Sequence, residues 1–95
     1  MRLTSTQYQA IKKYFHEIFG EGEIYLFGSR VDDSRRGGDI DLYIRTKNLQ
    51  NLVHKKLDFL TKLKHDIGEQ KIDVVFDRYK QRPIDKIAID TGVRL

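Results

Sequence analysis

The stretch Asp39-Ile40-Asp41-Leu42-Tyr43-Ile44 alternates polar and branched apolar side chains, and a β-strand is the regular backbone that sorts such a pattern cleanly. Successive side chains of a strand point to opposite sides, so Asp39 and Asp41 share one face while Ile40, Leu42 and Ile44 share the other. The apolar face needs a core, which makes this a strand of a packed sheet. The two acidic residues sit about 6.6 Å apart at the backbone, from a rise of about 3.3 Å per residue, and their carboxylates can converge on hard cations.

Nine residues separate Asp39 from Ser29. Upstream, Glu23-Ile24-Tyr25-Leu26-Phe27 is rich in β-formers and stops at Gly28, where the absence of a side chain permits a sharp turn and close approach to a ligand. Ser29 adds a hydroxyl and a backbone N–H. If a short helix starts there, its first amides face any phosphate held in the turn. Arg30 has two readings, a guanidinium that reaches a phosphate or a surface arginine paired with Asp33. A third carboxylate, Asp73, interrupts the apolar run Ile72-Asp73-Val74-Val75-Phe76. An unpaired buried carboxylate is costly, so Asp73 is expected to face a metal or a basic partner near the strand surface. Taken alone it also reads as an edge-strand aspartate paired with Lys or Arg; beside Asp39 and Asp41 that becomes the lesser reading.

Gly28-Ser29, the spacer, Asp39-Ile40-Asp41 and the later Ile72-Asp73-Val74 resemble the signature of the DNA polymerase β superfamily of nucleotidyltransferases. The short chain resembles most the minimal nucleotidyltransferases (MNT), commonly encoded beside a HEPN-domain protein as toxin–antitoxin pairs. The resemblance implies that Gly28 and Ser29 hold the triphosphate of ATP, with Arg30 a candidate beside them. It implies that Asp39 and Asp41 bind two magnesium ions, and that Asp73 completes the catalytic metal site and helps activate an attacking hydroxyl. Two metals about 3.5–4 Å apart stabilise both the incoming and the leaving oxygen of an in-line displacement. The implied activity is transfer of AMP to a hydroxyl, with a tyrosine of a cognate HEPN-type toxin as acceptor. The alternative is a binding protein that neutralises its partner by occlusion.

At 95 residues the chain is expected to be one domain, residues 1–95, with a real core and no room for a separate acceptor-binding domain. A partner or self-association into a homo-oligomer would supply what is missing. There is no cysteine, so disulfides and thiolate metal sites are excluded, which fits a reducing cytoplasm. No apolar run approaches the roughly 20 residues that span a bilayer, and no signal-peptide pattern is present; no membrane association is expected. The net charge of +4 invites a nucleic-acid reading. Yet Lys and Arg are scattered and no aromatic residues interleave as a base-stacking platform would need, so nucleotide binding ranks well ahead.

The remaining segments supply scaffold. A helix is expected over about Ser5–Phe19, capped by Thr4 with Gln7, burying Tyr8, Ile11, Phe15 and Ile18 and ending at Gly20. A second is expected over about Leu49–Asp66 with the stripe Leu49, Leu52, Val53, Leu57, Leu60 and Leu63. A last one, about Ile84–Asp90, is opened by Pro83. His16, His54 and His65 lack ligand spacing and read as surface residues. In the polar segment 31–38, Asp32 and Asp33 read as solvated or paired with Arg35 and Arg36, which in a second reading close over phosphate. The expected fold is α+β in the order α-β-α-β-α-β-α, with a three-stranded mixed sheet and its helices on one main side.

Overall fold

The computed structural model describes residues 3–31 and 38–95. Helix α1 spans Ser5–Phe19, strand β1 Glu23–Phe27, β2 Ile40–Arg45, helix α2 Leu52–Ile67, β3 Ile72–Phe76, helix α3 Pro83–Thr91 and β4 Val93–Arg94. Between β1 and β2, a single 3₁₀ turn, Gly28–Val31, takes the place of the short second helix. The sheet order is β3-β2-β1-β4. β1 pairs antiparallel with both β2 and β4, whereas β2 and β3 run parallel and are joined through α2. The sheet is therefore mixed, with a fourth strand beyond the expected three.

α1 starts at a complete capping box: Gln7 N–H donates to the Thr4 hydroxyl at 3.1 Å and Thr4 N–H donates to Gln7 Oε1 at 3.0 Å. These bonds satisfy two donors that the first helical turn leaves unpaired. Gly20 ends the helix with φ near 78°, a region that a side chain disfavours. Its buried residues are Ala10, Ile11, Phe15 and Phe19, while Tyr8 is exposed.

α1 and α2 cover one face of the sheet. Ile11, Phe15, Phe19, Phe59 and Leu63 pack there on Ile24, Leu26, Leu42, Ile44, Val74 and Phe76. Phe19 anchors this layer, its ring 5.8 Å from those of Phe59 and Phe76. α2 is rotated from the expected stripe. Leu52, Phe59 and Leu63 are buried, while Val53 and Leu57 are exposed. The helix begins three residues later than expected, after Asn51 in the left-handed conformation. Leu52, Phe59 and Leu63 follow helical spacing as well as the alternative row does, and aromatic Phe59 offers more area to bury.

The opposite face carries α3, so the helices are not all on one side. Ile84 and Ala88 pack on Tyr25, Phe27, Tyr43 and Val75. Alternation along each strand explains the division, because residues one apart must serve different layers. β4 follows α3 directly. The turn between them is tight at Gly92, where a Cβ would collide with the Ala88 carbonyl. Among the described residues no helix is long and apolar enough to cross a membrane.

Candidate active site

The face that holds α3 also holds the acidic residues, at the end of the sheet where β2 and β3 begin. Asp41 and Asp73 are direct partners in the parallel β2–β3 register, so adjacent strands set their backbones about 4.8 Å apart. Asp39 precedes β2 by one residue and keeps the same parity. Burial pushes the Asp41 carboxyl above the usual carboxylate range, and the neighbouring charges of Asp73 and Asp39 push it further, with Lys71 opposing them. Asp73 also lies within hydrogen-bonding reach of Asp41. Asp73 and Asp39 thus both bear on Asp41, a concentration of like charge that a folded chain sustains only at a cost.

Gly28 closes the other side of this group. It lies next to Phe27, which is the register partner of Asp41 across β1 and β2. Its φ is 77°, and a Cβ built there would run into Asp41 Oδ2. Both the left-handed backbone and the space beside the carboxylate therefore require glycine. Ser29 continues the 3₁₀ turn. Arg30 Nη2 donates to the Gly38 carbonyl at 3.1 Å and to Gln70 Oε1 at 3.2 Å, and Gln70 Nε2 donates to the same carbonyl. This ties the turn to the approaches of β2 and β3. The Arg30–Asp33 pair and the readings of Asp32, Asp33, Arg35 and Arg36 lie outside the described residues.

Lys71 Nζ stands 3.5 Å from Asp39 Oδ2. Both side chains are substantially exposed, so the pair contributes little to stability, but it leaves a cation beside the acids. Among the described residues no three His, Asp or Glu side chains form a ready metal cage. Magnesium does not require one, because it takes one or two carboxylates and fills its octahedron with phosphate oxygens and water. Two register-paired carboxylates and a third two residues away, beside a glycine that keeps the approach open, suit that donor set. His16, His54 and His65 are exposed and lie on α1 and α2, away from this face.

Over residues 9–95 the chain matches the family described as "Polymerase beta, Nucleotidyltransferase". It belongs to this nucleotidyltransferase family. A solved structure described as "Crystal structure of putative nucleotidyltransferase" is similar in fold, with a TM-score of 0.65 and 23% sequence identity, covering 96% of this chain and 99% of that one. No curated protein matches the chain.

Sequence reasoning missed what supports the site of this nucleotidyltransferase domain from α3. The Tyr43 hydroxyl donates to Asp85 Oδ1 at 2.9 Å, and both residues are buried. Arg82 grips the same carboxylate through Nε at 3.1 Å and Nη2 at 2.9 Å, and its backbone N–H donates at 2.8 Å. These bonds pull the Asp85 carboxyl down to about 2, with Arg82 the largest cause. Burial, then the bond to Asp85, raises the Tyr43 phenol above its ordinary value. Tyr43 lies two residues beyond Asp41 on the same face of β2, so this network fixes the strand that carries Asp41. One signal was available: an aspartate three residues after Arg82, in the first turn of a helix opened by proline.

Proposed function

We propose that the chain is a magnesium-dependent nucleotidyltransferase that moves AMP from ATP to a hydroxyl on a protein, with a tyrosine of a HEPN-domain toxin as acceptor, and so serves as an antitoxin. The observation that carries the reading is the register pairing of Asp41 with Asp73, with Asp39 two residues away, at the mouth of the Gly28 turn. The backbone at Gly28 and Ser29 would seat the triphosphate, where no side chain of residue 28 stands in the way. Asp39, Asp41 and Asp73 would hold the two magnesium ions. When bound, magnesium supplies positive charge to the phosphate oxygens and to the attacking and leaving oxygens of the displacement.

In the reaction the acceptor oxygen bonds to the α-phosphorus of ATP. The bond from that phosphorus to the β-phosphate oxygen breaks, and pyrophosphate leaves with the electron pair. The hydroxyl proton passes to the Asp73 carboxylate and then to solvent, a role suited to the most exposed strand position among the three acids. Asp39, just before β2, and Asp41 on it would orient the triphosphate through the magnesium they hold, and the Tyr43–Asp85–Arg82 network keeps β2 in place.

Intact mass spectrometry of a co-expressed HEPN-domain partner, after incubation with this chain, ATP and magnesium, tests the proposal. Mass increments of AMP that vanish with Asp39→Asn/Asp41→Asn are expected. No increment, with a stable complex and a neutralised partner, would replace transfer by occlusion.

A further inference from the structure

Among the described residues β3 is an edge strand that pairs with β2 alone. In a parallel pair, alternate residues of a strand turn both backbone polar groups toward the neighbour. Ile40 N–H donates to the Lys71 carbonyl and Asp77 N–H to the Ile44 carbonyl. Residues 71, 73, 75 and 77 therefore address β2, and Ile72, Val74 and Phe76 address the open side. The Phe76 carbonyl accepts from Arg82 Nη2 at 2.5 Å, which blocks further pairing at that end. Among the described residues nothing pairs with the outward groups of Ile72 and Val74, the situation that invites strand addition.

Beside this edge runs an open groove of about 290 Å³, lined by Val53 and Lys56 of α2, by Val74 and Phe76, and by Arg78 and Arg82. Lys56 and Arg78 supply its positive charge, the charge of Arg82 being already matched by Asp85, and among the described residues no carboxylate lines it. Val53 is 69% exposed and Leu57, one turn further, 59%. Such a surface is matched by an extended segment with acidic and apolar side chains on one face. Asp73, exposed on the other face of the same strand, gives the edge a connection to the acids.

We propose that the free edge of β3 is the acceptor's docking track: an extended acidic segment of the protein substrate adds to the sheet there and delivers its hydroxyl residue beside Asp73. The inference rests on the transfer reading above and names how the substrate is held. Backbone bonds to Ile72 and Val74 would set the register, and alternate side chains would enter the basic groove. The residue opposite Asp73 would then lie on the carboxylate face, with Cβ atoms about 4.5–5.5 Å apart.

The probe is the synthetic peptide Thr-Glu-Thr-Val-Tyr-Glu-Thr-Val, blocked at both ends, which puts its tyrosine on one face and its acids on the other. Amide hydrogen exchange of the full chain with and without this peptide should show protection at Ile72 and Val74. Lys56→Glu should weaken binding about fivefold, leave magnesium–ATP binding unchanged, and be compensated by a peptide with lysine for glutamate. N-methylation of the peptide amides facing β3 should abolish binding. Unchanged exchange at Ile72 and Val74 at millimolar peptide, or binding that survives both N-methylation and charge reversal, would overturn the docking track. If docking follows these expectations but ATP and magnesium add no AMP to the tyrosine, the transfer reading falls instead, and with it the edge as an acceptor track.

Discussion

Gly28 is the residue at which backbone conformation and site chemistry coincide. Its φ of 77° places it where a side chain is strained, and a Cβ would meet the Asp41 carboxylate. Gly28→Ala is therefore expected to lower stability by about 1 kcal/mol or more and, by displacing Asp41, to cut nucleotidyl transfer by at least about 10²-fold. Urea unfolding and an ATP-dependent transfer assay check the two effects separately. The alternation of acids and apolar residues in β2 was legible because a period of two is written in neighbouring letters. Pairs such as Lys71 with Asp39, or Arg30 with Gln70, were not. They join residues 32 and 40 positions apart, and a single sequence carries no signal of which surface charges the fold brings together.

At the level of elements, α1 and the start of α3 were legible because each announces itself chemically, through Thr4 with Gln7 and through Pro83. The facing of α2 was not, because two apolar rows share its surface and only packing selects between them. That selection yields a comparison: Phe59→Ala should cost about 3–5 kcal/mol, whereas Leu57→Ser, at an exposed position, should change stability by no more than about 0.5 kcal/mol. Thermal unfolding of both variants decides it. α3 gives a prediction in pH. The Asp85 carboxyl is held down to about 2 by Arg82, below the ordinary value near 3.9 that applies unfolded. Its contribution is therefore fully present above about pH 4 and is lost as pH falls toward 2. Melting temperatures of the native chain and Asp85→Asn should differ by a constant amount at neutral pH and converge between pH 4 and 2.

Across the whole molecule, the sheet divides labour between its faces. One face is closed by α1, α2 and a continuous apolar core, while the other carries α3 over one half and leaves acids open over the rest. β4 escaped the sequence reading because two residues cannot display a period, yet it completes the order β3-β2-β1-β4 and leaves the acids near the opposite edge. This division lets the chain tolerate a local liability. Burial, with the charges of Asp73 and Asp39, disfavours the ionised form of Asp41, and the core on the far face supplies the stability that offsets it. Asp41→Asn should therefore raise the melting temperature of the ligand-free chain by roughly 2–5 °C while abolishing transfer. Magnesium–ATP should then stabilise the native chain more than the variant, because the variant has lost a carboxylate that the bound state uses. Differential scanning calorimetry with and without magnesium–ATP measures both shifts. A variant less stable than the native chain without ligand would show that Asp41 serves the fold rather than the site.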